Sequence, residues 1–416
     1  DYGKTWKKIT AGIPADEYCR VLREDPNKPG LLYAGTERGI YVSFNDGDSW
    51  EKMNLNLPLT PIRDLQIHKR DKDLVVATHG RAFWILDDIT PLHEIMDKKV
   101  TSEKYLYQPR TTYRTQGRQS NTQSSGTNAP NGVIVRFYQK AKAAKELELE
   151  FLNDKNESII KYSSVKNTKG EPQKIAKEFH QDTEKEKAGY VPNKAGMNVF
   201  VWNMRYPNAT EVEGTNIMWA GSGVGAKVLP GTYKVRFIED KKIIGEQTFD
   251  IKKDPRAEGT DADLKEQFEF HQKVNKKVNE AHLAINKIRK IKGQINGYVG
   301  AVKDSVMVKE MKKMTEPTLK SLEELEATLM QPKAKAPQDV LAYPIMLNDK
   351  MAGLGSNVSS GDTKPTKGAY EVYDDLAKKI DIAVAKVNEI ATVKVPEFNA
   401  FIQQKQIPAI VIEDKK

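Results

Sequence analysis

Apolar and polar positions along the chain change period twice. In residues 1 to about 95 the apolar residues fall in short strand-like runs, 19–23, 31–34 and 40–43, separated by the turn signals Pro26-Asn27-Lys28-Pro29-Gly30 and Glu37-Arg38-Gly39. The cycle returns at 63–68, 73–77 and 82–86. At a shift of about 43, Ala34-Gly35-Thr36 falls on Ala77-Thr78-His79 and Tyr41 on Trp84. A polar stretch rich in Gln, Thr, Ser, Asn and Gly fills 101–132. Alternation of period two then predicts strands at 133–138, 147–151, 159–162, 198–206, 231–237 and 248–251.

From Asp261 the period becomes helical. Val274, Val278, Ala281, Ile285, Ile288, Ile291 and Ile295 form one apolar stripe. Leu319, Leu322, Leu325 and Leu329 form a second, expected after a break at Pro317. Tyr373, Leu376, Ile380, Ala383, Val387 and Ile390 form a third, with the Gly-, Ser- and Pro-rich segment 353–365 as the bridge before it. Asn399, Phe401 and Ile402 read as a docked tail. Amphipathic helices of this kind bury their stripes on one another as an antiparallel bundle.

Two boxed turns define the first region. Asp1-Tyr2-Gly3-Lys4-Thr5-Trp6 and Ser43-Phe44-Asn45-Asp46-Gly47-Asp48-Ser49-Trp50 fit the Asp-box pattern Ser-x-Asp-x-Gly-x-Thr-Trp and lie about 44 residues apart. That period is one four-stranded propeller blade. The first copy lacks its leading Ser-x because the chain begins there, so further blades are expected upstream. The expected architecture is multidomain, mainly β plus α. It comprises the last blades of an incomplete β-propeller (1–95), a linker (96–132), an immunoglobulin-like β-sandwich (133–256) and a helical bundle with a C-terminal tail (257–416).

In the box, the acid or amide accepts backbone N–H bonds, Gly takes the tight conformation and Trp packs between blades. Asp1, Gly3, Thr5, Trp6, Ser43, Asn45, Gly47, Ser49 and Trp50 are therefore structural residues. His79 and Arg81 are the most site-like pair; two apart on a strand they would share a face, and they are the candidate ligand-binding residues. A sialidase-type hydrolase needs an arginine cluster, a Tyr-Glu nucleophile pair and an acid/base Asp. Arg38, Arg63 and Arg81 are scattered, and Asp87-Asp88 read as a strand-end turn.

Composition narrows the functional classes. The 416 residues carry a net charge of +9, mostly on lysines interspersed with acids, which reads as a solvated surface rather than a nucleic-acid footprint. No run approaches the apolar length of a membrane span. The single Cys19 excludes an internal disulfide and reads as a small core residue in a strand. The six histidines show no metal-ligand spacing, so neither metal nor cofactor is expected. Gly221-Ser222-Gly223-Val224-Gly225-Ala226 matches G-x-G-x-x-A, but no helix follows it, so it reads as a sandwich loop.

Propeller, sandwich and bundle in this order resemble a bacterial family of large secreted Asp-box (BNR-repeat) proteins with a sortilin-type propeller, often labelled glycosyl hydrolases. The likeness rests on the boxes, on the run from His79 to Ile89, on 198–206, on Leu229-Pro230-Gly231-Thr232-Tyr233 and on Leu347-Asn348-Asp349-Lys350. It covers nearly the whole chain as the family's C-terminal portion. It implies an exported, extracytoplasmic protein of Bacteroidetes-like bacteria. The hydrolase label there derives largely from the repeats. The expected function is recognition of a glycan, peptide or protein ligand through the propeller. The alternatives are a glycoside hydrolase whose catalytic residues lie in upstream blades, and an accessory subunit of a cell-envelope or secretion complex. Residues 1–416 alone are expected to turn over no glycoside.

Overall fold

The computed structural model describes residues 2–115, 126, 128–165 and 190–407. Asp1 of the first box and most of the polar stretch 115–126 lie outside the described residues. The chain is mixed β and α, with curled sheets and a C-terminal helical region. It divides into two compact units. One holds the described residues up to 165 with Tyr190–Asn203 and Gly231–Lys252; the other holds Met204–Pro230 and the described residues from 253.

In the first unit, β1 (Cys19–Glu24), β2 (Leu32–Thr36), β3 (Gly39–Ser43) and β4 (Glu51–Lys52) form an antiparallel sheet in chain order. β5 (Ile62–His68), β6 (Asp73–Thr78) and β7 (Phe83–Leu86) form a second, and α1 (Thr90–Met96) follows. Both sheets carry a bulge at the same place, between Cys19 and Val21 and between Ile62 and Asp64. Thr36 and Thr78 close the next hairpins alike. Thr36 Oγ1 donates to Gly39 O at 3.1 Å and accepts from Arg38 N. Thr78 Oγ1 donates to Ala82 O at 2.6 Å and accepts from Arg81 N. Thr36 thus matches Thr78 rather than His79, because the second hairpin is one residue longer; Tyr41 matches Trp84 as the spacing predicts.

The registers fix how the two sheets meet. Tyr33, Ile40 and Val42 share a buried cluster with Leu65, Ile67, Leu74 and Val76. Leu32, Ala34, Tyr41 and Trp50 form a separate cluster on the other face of the first sheet. By register Leu32, Ala34 and Tyr41 correspond to Leu74, Val76 and Trp84. The first sheet therefore packs one face onto the opposite, equivalent face of the second. Cys19 is exposed, contrary to the core reading. The bulge interrupts the alternation and gives the buried position to Val21.

The rest of this unit is two further sheets. β8 (Lys104–Leu106), β10 (Val133–Gln139) and β13 (Gly196–Trp202) pair in the order β13-β10-β8. β9 (Thr112–Arg114), β11 (Leu147–Leu152), β12 (Ser158–Ser163), β14 (Gly231–Glu239) and β15 (Lys242–Lys253) pair in the order β12-β11-β14-β15-β9. Inward rings from both sheets interlock: Phe151 stacks on Trp202 at 4.4 Å and Phe137 meets Phe237 at 4.7 Å. β8 and β9 lie in the segment read as linker. At three residues each they are too short for alternation to show.

In the second unit, α2 (Asp261–Ala301) starts at a capping box in which Thr260 accepts from Asp263 N and Asp263 accepts from Thr260 N. α3 (Ser305–Leu329), α4 (Leu347–Val358), α5 (Lys367–Glu389) and, after a π-helical turn, α6 (Val395–Gln404) follow. The predicted first and third stripes are buried throughout, as are Leu322, Leu325 and Leu329 of the second. Pro317 does not break α3, which runs through it. Buried Met311, Thr315 and Leu322 on either side keep that face packed, which outweighs the one lost backbone bond. Gly353 and Gly355, read as bridge, lie inside α4.

Candidate functional site

The second box is a closed set of side-chain-to-backbone bonds. Asn45 Oδ1 accepts from Ser49 N and from Ser43 Oγ, each at 2.9 Å. Ser43 Oγ accepts from Gly47 N at 2.9 Å, and Asn45 Nδ2 donates to Ser49 Oγ at 2.9 Å. Gly47 sits at φ +87°, and a Cβ there would come within 2.7 Å of Ile9 Cδ1. Trp50 is 5% exposed and donates from Nε1 to Ile9 O at 2.8 Å. The Ser43, Asn45, Ser49 and Trp50 side chains are used internally, and they hold the turn. In the first box Gly3 is at φ +83°, but Trp6 is 91% exposed and packs against no second sheet.

His79 and Arg81 lie in the turn between β6 and β7 rather than on a strand, again because that hairpin is a residue longer. Both are exposed. Backbone bonds fix the turn: His79 N donates to Pro61 O at 2.9 Å, and Thr60 Oγ1 donates to His79 O at 3.0 Å. The side chain that meets the His79 ring is Arg63, 3.3 Å from Nδ1. Arg63, not Arg81, is thus the cation beside His79.

The first unit carries an open cleft of about 990 Å³ beside α1, β9 and β15. Its base is a polar mesh. Arg110 Nη1 donates to Asp73 Oδ1 at 3.1 Å, and Asp73 Oδ1 also accepts from Asp88 N at 2.8 Å. The Asp88 carboxylate, buried at φ +61°, pairs with Arg136 and accepts from Thr90 Oγ1 at 2.6 Å. This makes Asp88 a latch at the end of β7, in keeping with the strand-end reading. Burial, reinforced by Asp73, pushes the half-buried Asp87 carboxyl up. Buried Glu94 accepts from Tyr105 Oη at 2.7 Å and from Gln108 N at 3.0 Å. Burial and then that bond push the Tyr105 hydroxyl well above its ordinary range. Arg70, held on Asp71 by two bonds of 3.0 and 2.7 Å, and exposed Tyr113 form the rim. An aromatic face beside fixed carboxylates, amides and guanidinium groups can bind a polyhydroxylated or peptidic ligand by stacking and paired hydrogen bonds. Among the described residues no group of three His, Cys, Asp or Glu could hold a metal ion.

In the second unit one polar stripe on α2 binds the irregular segment 204–230. Asn275 Nδ2 donates to Gly223 O at 2.8 Å, and Asn279 Oδ1 accepts from Thr210 N at 2.9 Å. Asn286 accepts from Glu213 N at 2.8 Å and donates to Glu211 O at 2.9 Å. His282 Nδ1 lies 2.7 Å from Thr210 O, and its Nε2 lies 3.4 Å from Asn348 Nδ2. Those partners define a neutral ring with the proton on Nδ1, and burial lowers its pKa. From α4, the Asp349 carboxylate accepts from Trp219 N and Ala220 N at 2.8 Å and from Gly221 N at 3.3 Å. The sequence signal for this stripe was present: Asn275, Asn279, His282 and Asn286 recur by fours and threes beside the apolar stripe.

Compared with protein-family models, curated proteins and solved structures, the chain matches none. No helix among the described residues is long and apolar enough to cross a membrane.

Proposed function

We propose that this chain belongs to an exported recognition or scaffold protein that binds a glycan, peptide or protein ligand through a β-propeller. On this reading residues 1–95 are its last blades, an immunoglobulin-like sandwich follows, and the helical unit is a structural or docking module. The observation that carries the propeller is the stacking of the first two sheets, each using the opposite of two equivalent faces, as successive blades do around a ring. The saturated Asn45 box agrees with it.

The cleft bordered by Arg70, Tyr105 and Tyr113, where the end of the last blade meets the strands that follow it, is the seat we assign to the ligand. Its size suits two or three sugar rings or a short peptide. The carboxylates at its base, Asp73, Asp88 and Glu94, are already bound to arginine, tyrosine or backbone groups, so the chemistry offered is holding rather than bond-breaking. The test is a glycan and peptide array probed with residues 1–416, followed by titration of the best ligand against R70A and Y113A. A tenfold or greater loss in either variant supports the cleft. Unchanged affinity in both removes it, and turnover of any glycoside would favour the hydrolase reading instead.

A further inference from the structure

The second unit holds a pocket of about 170 Å³ that the proposed recognition role does not use. It lies where the glycine-rich loop after Gly221 meets α2 and α4. Three features make it a built site. His271 of α2 is 5% exposed and lines it. Burial, reinforced by the nearby Arg205 charge, keeps that imidazole neutral. A neutral imidazole always carries one acceptor nitrogen beside its one N–H donor.

The second feature is the loop. Gly223 turns at φ +64°, and Asn275 holds the loop by its carbonyls, at 2.8 Å to Gly223 O and 3.3 Å to Val224 O. Among the described residues, the amides of Ser222, Gly223 and Val224 donate to no protein acceptor. Consecutive unbonded amides around a left-handed residue make an anion-binding concavity. Third, Arg205 brings a fixed positive charge to the same wall, where its Nη1 donates to Gly225 O at 2.9 Å. Ser222, Ser356 and Ser359 add hydroxyls to the same lining.

We propose that this pocket binds a small oxyanion that still carries a hydroxyl, phosphate being the type. Its volume takes a group of roughly five non-hydrogen atoms, at about 30 Å³ for each water-sized unit. The charge and the loop amides meet the anionic oxygens. The His271 acceptor meets the P–O–H donor, which sulfate, fully deprotonated at neutral pH, does not have. Gly355 of α4 keeps the space open: a Cβ there would stand 3.3 Å from His271 Nε2 and 3.3 Å from Val274 Cγ1.

The test uses residues 1–416 with ¹³C-labelled histidine, whose six side chains give separable signals. At pH 7, inorganic phosphate is expected to shift the His271 ring signal saturably, with a Kd of about 1 mM or tighter, and sulfate to bind at least tenfold more weakly. G355A, in which a good helix former offsets part of the crowding against His271 and Val274, is expected to remain folded by circular dichroism and weaken phosphate at least tenfold. No saturable shift at His271 would overturn the proposal. So would sulfate binding as tightly as phosphate, or unchanged phosphate affinity in a folded G355A.

Discussion

Asp349 makes the sharpest test of how the helical unit is held. Its carboxylate is 2% exposed and accepts three consecutive backbone N–H groups, two at 2.8 Å and one at 3.3 Å. Hydrogen bonds to a charged group contribute about 1.5–3 kcal/mol each. The two short bonds alone would give about 3–6 kcal/mol, and Trp219 at this loop is exposed enough for water to recover part. D349A is therefore expected to destabilise by about 3 kcal/mol. For a unit of this size that lowers its melting temperature by roughly 6–12 °C. Urea unfolding followed by circular dichroism measures the stability change. Hydrogen exchange at Trp219, Ala220 and Gly221 reports the local one and should accelerate before any global loss. D349N keeps one acceptor oxygen and should fall about halfway. If D349A costs under about 1 kcal/mol and those three amides exchange as before, the carboxylate does not hold the loop.

The box tryptophans should separate cleanly: W50A, emptying a buried site, is expected to cost about 3–5 kcal/mol, and W6A, at an exposed position, under about 0.5 kcal/mol, both by denaturant titration. Burial, reinforced by the Arg205 charge, lowers His271 from 6.5 to about 4, so the folded state keeps it neutral where the unfolded chain protonates it. Stability from this group is thus full above about pH 6.5 and lost as pH falls towards about 4, by about 3 kcal/mol in all. A pH series of urea midpoints in which H271Q is as acid-sensitive as the parent would contradict this. A panel of chromogenic glycosides should show no turnover by residues 1–416, and robust hydrolysis of any member would refute it.

Strands were legible where alternation ran four or more residues between turn residues, which is why both cycles of the first two sheets stand close to where the spacing puts them. A single extra residue in the second hairpin was enough to move His79 off the strand, since alternation says nothing about loop length. Helical stripes were equally plain. α4 was hidden by Gly353 and Gly355, which lower helix propensity in isolation but sit against Ala220 and His271, where a larger side chain would crowd. Pro317 misled for the converse reason: packing on both sides of it overrode a local rule. The segment 204–230 has no periodicity because its order comes from Asn275, Asn279, His282, Asn286 and Asp349, about 50 to 130 residues further along. The candidate site suffered most, because the cleft gathers Arg70, Glu94, Tyr105 and Arg110 from stretches with no shared pattern.

The excursion 204–230 also decides how this protein can be taken apart or inherited. It leaves one unit after β13 and returns at β14, so the helical unit is assembled from pieces that are not contiguous in the gene. A fragment cut at residue 257 would carry α2 with its row of asparagines and histidines facing nothing, while the deleted stretch kept the matching carbonyls. Recombination that swaps the helices as one cassette would fail for the same reason. A single protease nick within 204–230 would leave both ends pinned.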